Sequence, residues 1–444
     1  MSEHTARPWV PIDSQRFYDR YAERYRGFAA AEFRQAVDGI LAAHERFMDH
    51  ECISLYAGTN IPNPRVTRCQ AASVGSRPSL GYPGDKYETG LGHAEQIEIL
   101  AVEILRRIFG CRFVEYRVGS GSLANLYAYM ACTRPGDRIM ALPDEAAGHV
   151  THHQAGAAGL YGLEVHDVPW DGSRMNIDLA ALERDAERIR PRLIIIGASL
   201  ALFPYPVRAV RQIAEAVGAY LMFDAAHLSG IIAGGAFQRP LAEGAHLMTC
   251  STYKSFGGPA GGLVLTDSAE LAQRLDRIAY PGLTANFDLG RTAALVVAAA
   301  DILEFGSAYA QTCIDNAQVL ARELAVGGCP VVEADGCGFT QSHLVAVRAA
   351  SFGGGTAASR HLERANVLTS GIGLPGAAVP GDFNGLRLGT QEITRWGMTP
   401  HDMPALARLM CRVMIDHEAP ARVQPDVVAY RQGFQNLHFM RSGG

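Results

Sequence analysis

Long apolar runs are missing from this 444-residue chain. No run of about 18 apolar residues occurs, the length a membrane-spanning helix requires, so no membrane span is expected. The N-terminus, MSEHTARPWVPIDSQRFYDRYAERYRG, lacks the apolar core of a signal peptide. Nine cysteines are scattered from Cys52 to Cys411, and none forms a C-x-x-C pair. An odd, scattered set in so long a chain argues against a disulfide framework and reads as reduced thiols of a cytoplasmic protein. Charge is sparse, with 19% charged residues and a net charge of −5. That balance excludes a strong pull toward nucleic acid or acidic membranes. Repeats and low-complexity segments are also absent. What is present is an ordinary globular composition, 48% hydrophobic, in a chain long enough for a large domain and a smaller one.

The expected division is an N-terminal helical arm over residues 1–56, a large α/β domain over 57–310 and a smaller α+β domain over 311–444. Residues 14–48 read as one or two amphipathic helices. A Gly-, Pro- and Asn-rich loop is expected from Ala57 to Gly92, long enough to suggest a functional role. From Glu95 to about Asp267, short apolar strands alternate with helices, as in Phe113–Val118, Leu193–Gly197, Tyr220–Asp224 and Leu263–Thr266. That pattern indicates a parallel sheet covered on both faces, with ligands at the carboxyl ends of strands. Helices continue to about Val326. The last region carries a strand at His343–Val347 and a loop at Gly385–Gly397.

Four short stretches carry chemistry. Gly119-Ser120-Gly121-Ser122 lies between a strand and a helix, where glycine allows close backbone approach and the helix N-terminus favours an anion such as phosphate. The same stretch also suits a simple helix cap. Asp224 ends an apolar strand, where a carboxylate suits the protonated pyridine nitrogen of pyridoxal phosphate or a cap on the next helix. Lys254 follows a buried strand, where desolvation lowers an amine's pKa and favours Schiff-base chemistry; a lysine snorkelling to solvent is the alternative. Arg387, on a short strand between Gly385 and Gly389, suits a bidentate carboxylate clamp or an internal ion pair. The order is what pyridoxal phosphate chemistry on an amino acid requires: phosphate turn, strand-end Asp, Lys thirty residues later, Arg in a second domain.

The chain resembles the serine hydroxymethyltransferase family from about Leu55 to Met410. The resemblance rests on Tyr82-Pro83-Gly84, Ser120-Gly121-Ser122-x-Ala124-Asn125, Gly148-His149-x-Thr151-His152 and Gly197-Ala198-Ser199. It continues in Asp224-x-Ala226-His227-x-Ser229-Gly230, Tyr253-Lys254 and Gly385-Leu386-Arg387-x-Gly389-Thr390. It implies a fold-type I, aspartate-aminotransferase-like α/β domain with a mostly parallel sheet and a smaller C-terminal α+β domain. By resemblance, Lys254 forms the Schiff base, Asp224 holds the pyridine nitrogen and His149 stacks on the ring. Ser199 and His227 lie near the ring hydroxyl, Ser120, Gly121 and Ser122 hold the phosphate, and Arg387 takes the substrate carboxylate. The ring-stacking role argues against a metal site at His149-x-x-His152-His153. A homodimer with shared active sites is implied, the loop around Tyr82–Tyr87 reaching toward the partner's cofactor and Tyr82 toward substrate.

Three departures from the family shape the functional expectation. The usual tyrosine and catalytic glutamate before Tyr-Pro-Gly are Pro78 and Leu80. The usual histidine before the Schiff-base lysine is Tyr253. The serine of the early substrate-binding segment is Gly58. Leucine cannot move protons, so Glu88, Asp85 or His93 takes over or the reaction differs, and tetrahydrofolate becomes an open partner. Short similarity to threonine transaldolases also occurs in Gly338-Phe339-Thr340-Gln341-Ser342-His343 and Thr394-Arg395-Trp396-Gly397-Met398. The expectation is a pyridoxal phosphate enzyme that makes or breaks the Cα–Cβ bond of a β-hydroxy amino acid of serine, 2-methylserine or threonine type, with amino acid and aldehyde as substrates. Alternatives are a folate-independent threonine aldolase or transaldolase, and another reaction at Cα such as racemisation or transamination.

Overall fold

Side-chain alternation in short apolar strands sets the architecture. Leu193–Ile196 is buried at every position. Leu193 and Ile195 enter one core while Ile194 and Ile196 enter another. Leu263 and Leu265 likewise part from Val264. Strands apolar on both sides belong in a sheet with both faces covered.

The computed structural model describes Arg7 and residues 9–441, in two units, Met1–Cys52 and Ile53–Gly444. Among its described residues the first unit holds the α-helices Ile12–Tyr25 and Ala30–Glu45 and a π-helical segment, Arg46–Glu51, none with a buried side chain. Aromatic rings from Phe17 through Tyr21, Tyr25 and Phe28 to Phe33 contact one another in series.

The second unit is built on a seven-stranded sheet. Its order is Phe113–Val118, Gly262–Thr266, Leu247–Ser251, Tyr220–Asp224, Leu193–Ile196, Arg138–Ala141 and Glu164–Asp167. Gly262–Thr266 runs antiparallel to both neighbours; the remaining pairs are parallel. The fold is the mostly parallel α/β type expected. A smaller antiparallel sheet follows, with Gly385–Gly389 between Leu344–Arg348 and Ser370–Ile372.

Two local expectations are corrected. Gly385–Gly397 is not a loop throughout: the short strand expected around Arg387 is the central strand Gly385–Gly389, and the helix Gln391–Arg395 follows it. Leu386 and Leu388 face a buried cluster, which leaves Arg387 on the opposite side of the strand. The stretch from Ala57 to Gly92 is not structureless either. It contains the helix Pro64–Gln70, capped by the Asn63 side chain on the Arg65 amide at 2.9 Å, and a hairpin pairing Gly81–Tyr82 with Asp85–Lys86.

Between the two sheets, in sequence, runs the 38-residue helix Leu289–Val326. The expected boundary at residue 310 falls inside it. By length and composition it could cross a membrane, yet half of its most apolar window is buried in the protein. Three of its buried polar side chains are bonded to specific partners: Arg291 Nη1 donates to Val118 O at 2.8 Å, Asn63 Nδ2 to Asp301 Oδ2 at 2.8 Å, and Asn316 Nδ2 to Thr394 Oγ1 at 2.9 Å. Those are the bonds of a core helix.

Candidate active site

Strand ends bring the residues together. Asp224 closes its strand, Ser251 ends the adjacent one, and the turn after it carries Tyr253 and Lys254. Ser120 caps the helix Gly121–Cys132, its hydroxyl accepting from the Leu123 amide at 3.1 Å. One cleft with about 410 Å³ of empty space is lined by Ser120, Gly121, Ser122, His149, Ser199, Asp224, His227, Tyr253 and Lys254, together with Asn125, Ala198, Ala226 and Ser251.

Asp224 is 4% exposed. Its Oδ2 accepts from His152 Nε2 at 2.8 Å and Asn125 Nδ2 at 3.0 Å, and Oδ1 from the Ala226 amide at 2.8 Å. Burial opposes the charge, but His152, His149 and the Ala226 amide outweigh it and hold the carboxyl well below its usual range. Three acceptor sites of the roughly four on a carboxylate are used, which leaves one for an incoming N–H. His152 is itself held by the Tyr129 hydroxyl on Nδ1 at 2.5 Å.

Lys254 is 7% exposed and burial pushes its amine down to about 8, against the opposing pull of Asp224. Its Nζ lies 3.0 Å from His227 Nε2. His227 Nδ1 lies 3.1 Å from Ala57 O. A carbonyl only accepts, so Nδ1 carries the proton and Nε2 accepts from Lys254. Burial, then the charges of Lys254 and Arg387, keep His227 neutral by lowering its pKa well below the ordinary value. His149, pushed down to about 4 chiefly by burial, is also neutral. Its Nδ1 contacts the Thr151 hydroxyl at 2.8 Å.

Arg387 borders the cleft, with Nη1 donating to Ser199 O at 2.6 Å and lying 3.4 Å from His227 Nε2. Nε and Nη2 both reach Ser370 Oγ, at 3.2 and 3.1 Å. Burial pushes its pKa down to about 10. Among the described residues it forms no ion pair with a carboxylate, so the internal-pair alternative finds no partner there.

Glu88 and Tyr82 are not brought into this cleft. Glu88 accepts from the Leu80 amide at 3.0 Å. Tyr82 is 43% exposed and lines a separate cleft with Glu98, Arg117 and Asp276. Conversely, Tyr129 and Asn60 were not singled out in the sequence. Asn60 Nδ2 donates to Lys254 O at 3.0 Å and lies 2.9 Å from the Tyr309 hydroxyl. Neither has a local signature, because each acts on a residue far along the chain.

The residues fit pyridoxal phosphate. The buried carboxylate has a free acceptor site for the ring N–H, and the buried amine is already low in pKa. The first N–H groups of Gly121–Cys132 have no intrahelical acceptor for themselves, which suits a phosphate. A Cβ at Gly121 would run into the Ser251 hydroxyl, which would have to turn aside from the cleft it lines. Ser120, Gly121 and Ser122 would hold the phosphate, Asp224 the ring nitrogen and Lys254 the carbonyl carbon.

A family model for serine hydroxymethyltransferase matches residues 33–410. An alpha-methylserine aldolase from Ralstonia sp is 45% identical, covering 98% of this chain and 99% of that protein. One from Variovorax paradoxus is 51% identical, covering 92% of each. A serine hydroxymethyltransferase from Thermococcus kodakarensis is 38% identical over 94% of this chain and 97% of that one. In solved structures, an L-threonine transaldolase from Pseudomonas fluorescens superposes with a TM-score of 0.83 at 24% identity, over 92% of this chain and 94% of that one; the likeness is one of fold. The chain therefore belongs to the serine hydroxymethyltransferase family of pyridoxal phosphate enzymes.

Proposed function

We propose that the protein makes and breaks the Cα–Cβ bond of 2-methylserine without folate, as an alpha-methylserine aldolase. Cleavage between Cα and the hydroxymethyl carbon releases formaldehyde. The electron pair left on Cα takes up a proton, and the product is alanine. The observation that carries this reading is the make-up of the cleft. Among the described residues lining it, the only carboxylate is Asp224, and its acceptor sites are committed to the ring side. The position where the family usually has a catalytic glutamate is Leu80. Relatives at 45% and 51% identity bear the same name as the proposed activity.

When bound, pyridoxal phosphate supplies an electron sink for the pair released at Cα. The chain supplies the rest. Asp224, fixed by His152, Asn125 and Ala226, keeps the sink positively charged. Arg387 holds the substrate carboxylate and so fixes the orientation of Cα. Lys254 Nζ, with its pKa near 8, accepts the hydroxyl proton and returns it to Cα. The proton count closes within the substrate, because the hydroxyl gives up one and Cα takes one. No second acid is required, and His227 Nε2 steadies the amine between transfers.

Tyr82, exposed and outside its own chain's cleft, fits a role at a partner's cleft in a homodimer. Nine free cysteines fit a cytoplasmic location.

The test is product release by pyridoxal phosphate-loaded protein from 2-methylserine, L-serine and L-threonine, each with and without tetrahydrofolate. The expected result is alanine and formaldehyde from 2-methylserine, unchanged by folate. Turnover of serine alone, and only with folate, would show a hydroxymethyltransferase instead. Turnover of threonine alone would show a threonine aldolase.

A further inference from the structure

The turn that carries Lys254 is held by side chains that do not line the cleft. Its successive carbonyls, at residues 254–257, each face a side-chain donor. Lys254 O accepts from Asn60 Nδ2 at 3.0 Å, and Ser255 O from the Tyr309 hydroxyl at 2.9 Å. Arg395 Nη2 and Nη1 reach Phe256 O and Gly257 O, each at 3.4 Å, and Nη1 also donates to Ile61 O at 3.2 Å. With its proton on Ser255 O, the Tyr309 oxygen accepts from Asn60 Nδ2, 2.9 Å away.

Tyr309 and Arg395 are each 1% exposed. Among the described residues Arg395 forms no ion pair with a carboxylate, and its guanidinium carbon lies 5.2 Å from the centre of the Tyr309 ring. Taking a guanidinium out of water is costly, and the backbone of the turn is what this one holds. Gly257 leaves room for it: its φ is +70°, and a Cβ there would lie 2.5 Å from Arg395 Cζ.

The C-terminal segment fastens both donors. The His438 amide donates to Arg395 O at 2.8 Å, and the Phe439 ring lies 5.8 Å from the Tyr309 ring. The Arg441 amide donates to Asp301 Oδ1 at 3.0 Å, and its Nε to Glu304 Oε1 at 2.9 Å. Both carboxylates stand on the helix of Tyr309, about two turns and one turn before it.

Lys254 has to bring one amine to the carbonyl carbon of the cofactor, to the substrate hydroxyl and to Cα. A side chain serving three points needs a fixed base, since a misplacement of about 1 Å can cost about 100-fold in rate. We propose that Tyr309 and Arg395 are positioning residues for Lys254, holding the carbonyls of its turn, and that residues 438–441 are the strap that keeps both in place. This rests on the reading of Lys254 as the amine that moves the protons.

Competitive acetylation of the cofactor-free protein with acetic anhydride, in steps of pH and with peptide mapping, reads the titration of Lys254 apart from that of Lys86, the other lysine. Wild-type Lys254 should titrate near 8. Tyr309→Phe removes one hydroxyl and leaves Asp224, His227 and Arg387 around the amine unchanged. The turn should relax, and the Lys254 titration should move toward 10.5 as the amine gains water. In the loaded protein, kcat for 2-methylserine should fall about 10- to 100-fold, with KM little changed because Arg387 still holds the carboxylate. Phe439→Ala, on the strap, should move both readings the same way and less far, and it decides the matter if Tyr309→Phe does not fold. If Lys254 titrates as in wild type in the folded variants, whatever their urea-unfolding midpoints, these residues are structural only, and the proposal is refuted while the functional reading stands. A wild-type Lys254 that titrates near 10.5 would instead overturn the reading of Lys254 itself.

Discussion

Removing the reactive lysine should make the cofactor-free protein more stable. Lys254 is buried, and its pKa falls from 10.5 to about 8 mainly through desolvation, a difference of about 3 kcal/mol. The folded state binds this proton less tightly than the unfolded chain does. Between about pH 8 and 10.5 the unfolded chain therefore holds more protons, and wild-type stability rises with pH across that window. Below pH 8 the full penalty is present. Lys254→Met keeps an unbranched stem and removes the charge. Against that gain, His227 Nε2 loses its donor at 3.0 Å, a loss of about 1 kcal/mol. The net expectation is about 2 kcal/mol of added stability near neutral pH, fading and then reversing as the pH approaches 10.5. Urea-unfolding midpoints of the two cofactor-free proteins, at equal concentration and in steps across that range, would measure it. A variant less stable than wild type at neutral pH, or a gap that does not change with pH, would refute the reasoning.

Two further outcomes follow from the same geometry. His152→Leu takes away one of three donors on Asp224 without introducing a charge. Pyridoxal phosphate affinity, titrated by visible absorbance, should fall about 10- to 100-fold; an unchanged affinity would mean that Asn125 and the Ala226 amide suffice. The sequence contains two lysines, Lys86 and Lys254. Borohydride reduction of the loaded protein followed by peptide mapping should place the label on Lys254 and none on Lys86, and label on Lys86 would remove Lys254 from its assigned role.

Much of the fold was legible because the signals were local. Leu193–Ile196 and Tyr220–Asp224 are short, apolar and flanked by helices, and strands of that kind read directly from the chain. The Gly-Ser turn, the strand-end aspartate and the lysine after a buried strand could each be read in place, because each sits at a junction between elements. In Gly385–Gly397 the short strand around Arg387 was legible, but its central place in the sheet and the helix Gln391–Arg395 after it were not. Glycines at both ends of Leu386-Arg387-Leu388 look like turn residues. They are there because a neighbour presses on the strand: a Cβ at Gly389 would lie 2.8 Å from the Ala57 Cα, a contact between residues more than three hundred positions apart.

The same limit governs the site. Two lysines look alike in a sequence, and each lies in a short polar stretch beside glycine. In the fold both are buried, with opposite surroundings. Lys86 Nζ lies 2.8 Å from Glu98 Oε1, with both side chains at most 2% exposed, and Ser79 and Tyr116 hydroxyls donate to the same carboxylate. Its charge is matched, and it fastens the hairpin of Tyr82 to the helix Gly92–Phe109. Among the described residues Lys254 Nζ hydrogen-bonds a neutral imidazole, His227 Nε2 at 3.0 Å, and no carboxylate. A buried ammonium with a carboxylate partner is structural. One without such a partner gives up its proton more readily and becomes a nucleophile. Which lysine receives the carboxylate depends on Glu98 and Asp224, whose placement is decided by how the helix and sheet pack and not by the residues next to either lysine.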